Sequence, residues 1–146
     1  MPLADQPRTS LVSLRTALRL DAASSGAMGL LLLLAAGALA PLFDLPVALL
    51  RGAGLALLPF ALALAWLSSQ LRIPRGWAWA VIIANATWTL DSLLLPIVGR
   101  LSPSALGTAF VVAQALAVAL FAGLQYAGLR ALDGSAAIAS PSALRG

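Results

Sequence analysis

Three stretches of the chain, 22–43, 52–71 and 101–129, carry no charged side chain, and a fourth, 76–99, carries only Asp91. Apolar residues run on through each stretch without the strict alternation of a membrane strand, which argues against a barrel. A helix that crosses the hydrocarbon core needs about 20 mostly apolar residues. The pattern therefore predicts an all-α fold, a four-transmembrane-helix antiparallel bundle with spans at about 22–43, 46–71, 75–98 and 103–129. Together they form a transmembrane domain over 11–131, in which short connections make consecutive helices neighbours.

Punctuation refines these boundaries. Asp44 before Leu45-Pro46 is placed to cap the second helix, and Ser102-Pro103 to cap and open the fourth. Pro74 opens the third helix and Pro41 closes the first. Pro59 predicts a kink within the second, and Pro96 a distorted end to the third. Ahead of the first span, Leu11, Leu14 and Leu18 share a helical face flanked by Arg15 and Arg19. That face suits either an interfacial helix on anionic lipid or an extension of the first helix. Residues 1–10 read as a flexible tail, and the Gly/Ser/Ala/Pro-rich 132–146 as a disordered one. The first apolar run exceeds the usual signal-peptide core, and Pro41 follows the cleavage-like Ala38-Leu39-Ala40, so a retained anchor helix is expected.

Composition supports a lipid environment. Of 146 residues, 61% are hydrophobic and 10% charged, with a mean hydropathy of +0.97, against about 25% charged in ordinary globular domains. All nine cations are Arg and all five anions Asp, with Lys, Glu, His and Cys absent. Disulfides, thiolate chemistry and His-ligated haem are therefore excluded, and no metal or other cofactor is expected. Seven arginines (8, 15, 19, 72, 75, 130 and 145) fall on one predicted side and two (51 and 100) on the other. The positive-inside rule then puts both termini in the cytoplasm, in a multi-pass protein of the inner (cytoplasmic) membrane. Trp66, Trp77, Trp79 and Tyr126 gather at the same side, as an interfacial belt requires. With the basic residues in tails and short loops, the expected partners are membrane lipids, including anionic headgroups at the cytoplasmic arginines, and not nucleic acid.

Candidate chemistry centres on the third span, which carries Asn85, Thr87, Trp88, Thr89, Asp91 and Ser92. A carboxylate at membrane depth is costly, which marks Asp91 as the first candidate for function. Arg51, at matched depth roughly 10–12 Å below the outer boundary at 1.5 Å per residue, is its expected counter-ion. The pair reads either as a buried structural ion pair or as a ligand pocket formed by Asp91, Arg51, Asn85, Thr87 and Trp88. On the fourth span, Ala115, Ala119, Gly123 and Ala127 form a small-residue row that permits close helix approach, within the bundle or in a homo-oligomer. Gln114 and Gln125 would add interhelical hydrogen bonds. No nucleophile–base set, phosphate loop or carboxylate pair is present, so an enzyme is not expected.

The segments Leu18-Arg19-Leu20-Asp21-Ala22-Ala23-Ser24-Ser25-Gly26, Leu49-Leu50-Arg51-Gly52-Ala53-Gly54, Asn85-Ala86-Thr87-Trp88 and Leu124-Gln125-Tyr126-Ala127-Gly128-Leu129-Arg130 resemble an uncharacterised family of small bacterial four-helix integral membrane proteins, over about residues 14–131. The resemblance implies a four-span inner-membrane protein and carries no activity. The chain lacks the first-span Glu of small multidrug exporters, having no Glu at all. It also lacks the polar break of the dimeric fluoride channels. Two functional expectations result: a membrane-embedded interaction or accessory protein, in a homo-oligomer or larger complex, and a dimeric transporter or binder of a hydrophobic or cationic small molecule using Asp91.

Overall fold

The computed structural model describes residues 13–95, 97–98 and 101–138. The expected N-terminal tail, Pro96, Arg100 and the end of the expected C-terminal tail lie outside them. The described residues form four helices and no strand: α1 (Leu14–Phe43), α2 (Val47–Ser69), α3 (Arg75–Leu94) and α4 (Ala105–Ile138). Three of them, α1, α2 and α4, are long and apolar enough to cross a membrane. The 20 residues of α3 extend about 30 Å, but its polar residues keep it outside that set.

Helix ends depart from the sequence expectation in ways that local chemistry explains. Leu14 and Leu18 are buried parts of one continuous α1, so the segment before the first span extends that helix. Ser13 caps it, its side chain accepting from the Thr16 N–H at 3.2 Å. Pro41 does not close α1, which continues to Phe43. Asp44 ends α1 rather than capping α2: it adopts the left-handed conformation (φ 52°, ψ 45°) and α2 starts behind Pro46. An Asp tolerates that conformation better than most residues with a side chain. At the fourth helix the cap is Ser104, not Ser102; its Oγ accepts from the Gly107 N–H at 3.0 Å. The same hydroxyl donates to the Leu42 carbonyl at 2.7 Å, and the Ser104 N–H to the Phe43 carbonyl at 2.9 Å. One serine thus serves the start of α4 and the otherwise open end of α1. Helix α3 stops at Leu94, short of the expected 98: Leu95 keeps a helical backbone, but the proline after it has no N–H with which to continue the ladder, and the Ile97 and Val98 N–H groups both turn back to the Leu94 carbonyl. Helix α4 runs to Ile138, into the segment read as tail. Asp133 there holds Arg75 of α3 at 2.7 Å.

Helix α1 packs against both α2 and α4, and α3 against α4. The α1–α2 contact is backbone to backbone at Gly29 and Gly54. At the tail end of this hairpin, Arg15 donates to the carbonyls of Ser68 and, at 2.7 Å, Gln70, closing the C-terminus of α2. The apolar core has two parts. One, at the Arg15 end, contains Leu14, Leu18, Leu64, Leu67, Ala78, Val81, Ile82 and Leu129. The other, towards Asp44, contains Leu32, Ala36, Ala40, Phe43, Leu45, Leu50, Leu57 and Val111. There the Phe43 and Phe110 rings stack at 4.6 Å. Trp66 meets Trp77, and Trp79 meets Tyr126, edge to face.

A Cβ at position 54 would stand 2.7 Å from the Gly29 carbonyl oxygen and 2.9 Å from the Leu33 nitrogen. Gly54→Ala is expected to lower stability in detergent by about 1–3 kcal/mol, the usual cost of overpacking. Position 52 has open space, so Gly52→Ala should be neutral or stabilising. Thermal unfolding of both variants checks the α1–α2 crossing, and equal midpoints would contradict it.

Candidate functional site

Between the two apolar clusters lies a polar one, built on Asp21. Its carboxyl group is wholly buried, with 0% exposure; Gln125 is likewise at 0% and Asn85 at 2%. One carboxyl oxygen accepts from the amide groups of Asn85 and Gln125, both at 2.7 Å, and the other from the Ser25 hydroxyl at 2.9 Å. Asn85 also donates to the Gln125 side-chain oxygen at 3.1 Å, closing a ring of hydrogen bonds across α1, α3 and α4. A buried carboxyl group is costly unless its lone pairs are occupied, and three donors occupy them here. On α3 the ring residue Asn85 sits six residues past Trp79, about 9 Å along the helix from the Trp79–Tyr126 pair at 1.5 Å per residue.

Asp91 and Arg51 are not brought together. Both are exposed, and the ion pair among the described residues is Arg75–Asp133. Two physical reasons separate them. Helices α2 and α3 are not closely packed neighbours over their length, and α3 ends at Leu94, so Asp91 belongs to its last turn rather than to its interior. Thr87 faces outward. Thr89 turns towards α4, donating to the Asn85 carbonyl at 2.9 Å and approaching the Ala115 carbonyl at 3.4 Å.

The loose α2–α3 seam leaves adjoining cavities that meet at Trp88. One of about 160 Å³ is walled by Ala56, Leu57 and Phe60 of α2 and by Ala84 of α3, with Ser25 and Asn85 of the hydrogen-bonded ring on its inner side. A second, of about 180 Å³, reaches towards the Asp44 end and is lined by Leu49, Leu50, Phe110, Gln114 and Asp91. A smaller space, about 50 Å³, adjoins both through Trp88 and is lined also by Gln114 and Phe121. The Trp88 indole nitrogen is buried without a hydrogen-bond partner, the one such side-chain atom among the described residues. An unpaired buried donor costs about 1–3 kcal/mol, so the wall of this site holds an unmet demand for an acceptor. Asp91 is on the rim of the same space, with no ion-pair partner among the described residues.

Of the expected residues, the structure thus unites Asn85 and Gln125 in the buried ring, and Trp88, Asp91 and Gln114 around the cavities. Arg51 and Thr87 stay apart from both. Ala115 is buried, whereas Ala119, Gly123 and Ala127 lie on the exposed side of α4. Asp21 and Ser25 are the residues of the buried ring that the charge-free-run reading passed over. Their signal was periodicity: Leu14, Leu18, Asp21, Ser25, Gly29, Leu32 and Ala36 recur at three- and four-residue steps on one buried stripe. Comparison with family models, curated proteins and solved structures finds no match.

Asp21→Ala would leave two buried amides without their shared acceptor. It is expected to destabilise the protein by about 1–3 kcal/mol. Asp91→Asn and Arg51→Gln should each shift stability by less than about 0.5 kcal/mol, as exposed substitutions do. Denaturant titration in detergent measures all three; a loss in the Asp91 and Arg51 variants matching that of Asp21→Ala would restore the ion pair.

Proposed function

We propose that the chain is a four-span integral membrane protein, termini cytoplasmic, that holds a small, largely apolar molecule in the α2–α3 cavities. It belongs, on this reading, with the small bacterial inner-membrane proteins that its sequence resembles, and it catalyses no reaction. Support for α3 as the fourth span comes from its side chains: Asn85 and Thr89 are turned to α1 and α4, away from lipid, and 20 residues suffice for the core. The arginine asymmetry supports the orientation.

The observation that carries the binding reading is the buried, unpartnered indole N–H of Trp88, a residue that lines all three apolar cavities. Binding sites for small molecules are typically apolar with a few convergent polar groups. Here those groups are the Trp88 donor, Ser25 and Asn85, with Asp91 at the rim. The favoured ligand has an apolar body and one oxygen acceptor for Trp88; a cationic group on it would meet Asp91.

A second reading, a membrane-embedded interaction protein, draws on one observation. Ala119, Gly123 and Ala127 face outward, and nothing lies within 4 Å of a Cβ placed on Gly123. A second transmembrane helix could approach closely there.

Native mass spectrometry from nanodiscs separates these readings. For the binder, a small molecule of constant mass stays with the wild type, and Trp88→Phe, which removes only the donor and some ring area, weakens its retention about three- to tenfold, the worth of one neutral hydrogen bond. Equal retention by Trp88→Phe, or an empty wild type, removes the support. For the interaction reading, Gly123→Leu disperses an oligomer that the wild type forms.

A further inference from the structure

On the opposite flank of α2, a groove runs between α1 and α2. Its sides are Ala22, Ala23, Gly26 and Leu30 of α1 and Leu58, Ala61, Leu62 and Ala65 of α2, and Arg19 stands at its end. Small residues make it: a Cβ on Gly26 would lie 3.6 Å from that of Ala61, so the two helices nearly touch at the floor while Leu30 and Leu62 stand out as walls. The groove is open to the surface and has a volume of about 530 Å³.

We propose that this groove binds one acyl chain of an anionic phospholipid, with the lipid phosphate on Arg19. The inference needs only that the protein lies in a membrane and is independent of the α2–α3 cavity. Three observations converge on it. From Arg19 to Leu30 the helix rises about 16 Å at 1.5 Å per residue, close to half of the roughly 30 Å hydrocarbon core. The groove is therefore one leaflet deep. At its charged end Arg19 shares the groove with Ala65 and Ser68, on either side of Trp66, which meets Trp77 edge to face; an interfacial aromatic pair there places Arg19 among the headgroups. Arg19 is also free: it is exposed and makes no hydrogen bond or ion pair among the described residues. Arg15, one turn earlier, is held by the carbonyls of Ser68 and Gln70. Arg130 instead lies over the Tyr126 ring at 5.8 Å.

The test is native mass spectrometry of the full chain from nanodiscs of equal phosphatidylglycerol and phosphatidylcholine. The wild type retains one phosphatidylglycerol in preference to phosphatidylcholine. Arg19→Gln lowers that preference about fivefold, the worth of one basic residue at an anionic surface. Ala23→Leu, which fills the groove and leaves Arg19 in place, reduces retention of either lipid. Arg130→Gln and Trp88→Phe change neither, which separates groove binding from general attraction and from the α2–α3 cavity. Circular dichroism of each variant confirms the helical fold, and Ala65→Leu substitutes for Ala23→Leu if the latter does not fold. Absence of a phosphatidylglycerol preference in the wild type, or an equal effect of Arg19→Gln and Arg130→Gln, would overturn the proposal.

Discussion

The bundle is organised by a buried carboxyl group that pairs with no cation among the described residues. Asp21 is satisfied instead by Ser25, Asn85 and Gln125, and those donors come from α1, α3 and α4. Turning any of these helices about its axis would take an amide or a hydroxyl off the carboxyl group and leave it in an apolar setting. Side-chain hydrogen bonds between membrane helices contribute little net stability, about 0.6 kcal/mol on average, because a separated helix also finds partners. The effect of the ring is therefore on specificity: it selects one rotation for α3, a helix whose weak apolar pattern would not select it alone. With Asn85 fixed inward, Trp88 follows three residues later on the same side and is carried into the α2–α3 seam, while Thr87 is sent outward.

Helix α2 takes no part in this ring. It is attached through α1, by the glycine contact at Gly29 and Gly54 and by the Arg15 clamp on its last carbonyls. The division has a direct consequence. Three helices are locked to one another by the ring, the fourth only by the glycine contact and the clamp at its end, and space is left at the seam between α2 and α3. The polar ring also lies between two apolar clusters. It is thereby shielded at both ends, and the donors around Asp21 work in a setting where water does not compete for them.

Much of the architecture was legible in the sequence because charges are so sparse. Four runs without charge, or with Asp91 alone, gave four helices in the right order, and the small residues and glutamines of α4 pointed to real packing features in Ala115 and Gln125. Helix ends were less legible because several residues had two capping roles open to them. Asp44 took the left-handed exit from α1 in preference to the start of α2, and Ser104 displaced Ser102 because only there could one hydroxyl serve two helix termini. The expected Arg51–Asp91 pair rested on two linked assumptions, that α3 reached residue 98 and that α2 and α3 packed side by side. The loss of either is enough to separate the two groups. Asp21 was passed over for the converse reason. Flanked by Arg19 and standing at the edge of a charge-free run, it resembled the polar approach to a span, although its place on the Leu14–Leu18–Ser25–Gly29 stripe gave it an inward face.

The groove and the cavity share a physical origin in the unequal partnership of α2. Two helices that touch backbone to backbone at one level diverge away from it, and the glycine contact sets that level on α1 and α2. Towards Arg19 the floor remains narrow, at Gly26 and Ala61, while the flanking leucines separate into walls. On its other flank α2 has no directional bond to α3, and bulky groups from both helices, Phe60 and Trp88, keep the seam open rather than fill it. A chain with few charges and many small residues can therefore present both an open outer groove and an inner space from the same four helices. Asp91, which first marks the chain as unusual, is then a rim residue of that inner space, and the buried carboxyl group that the fold depends on is Asp21.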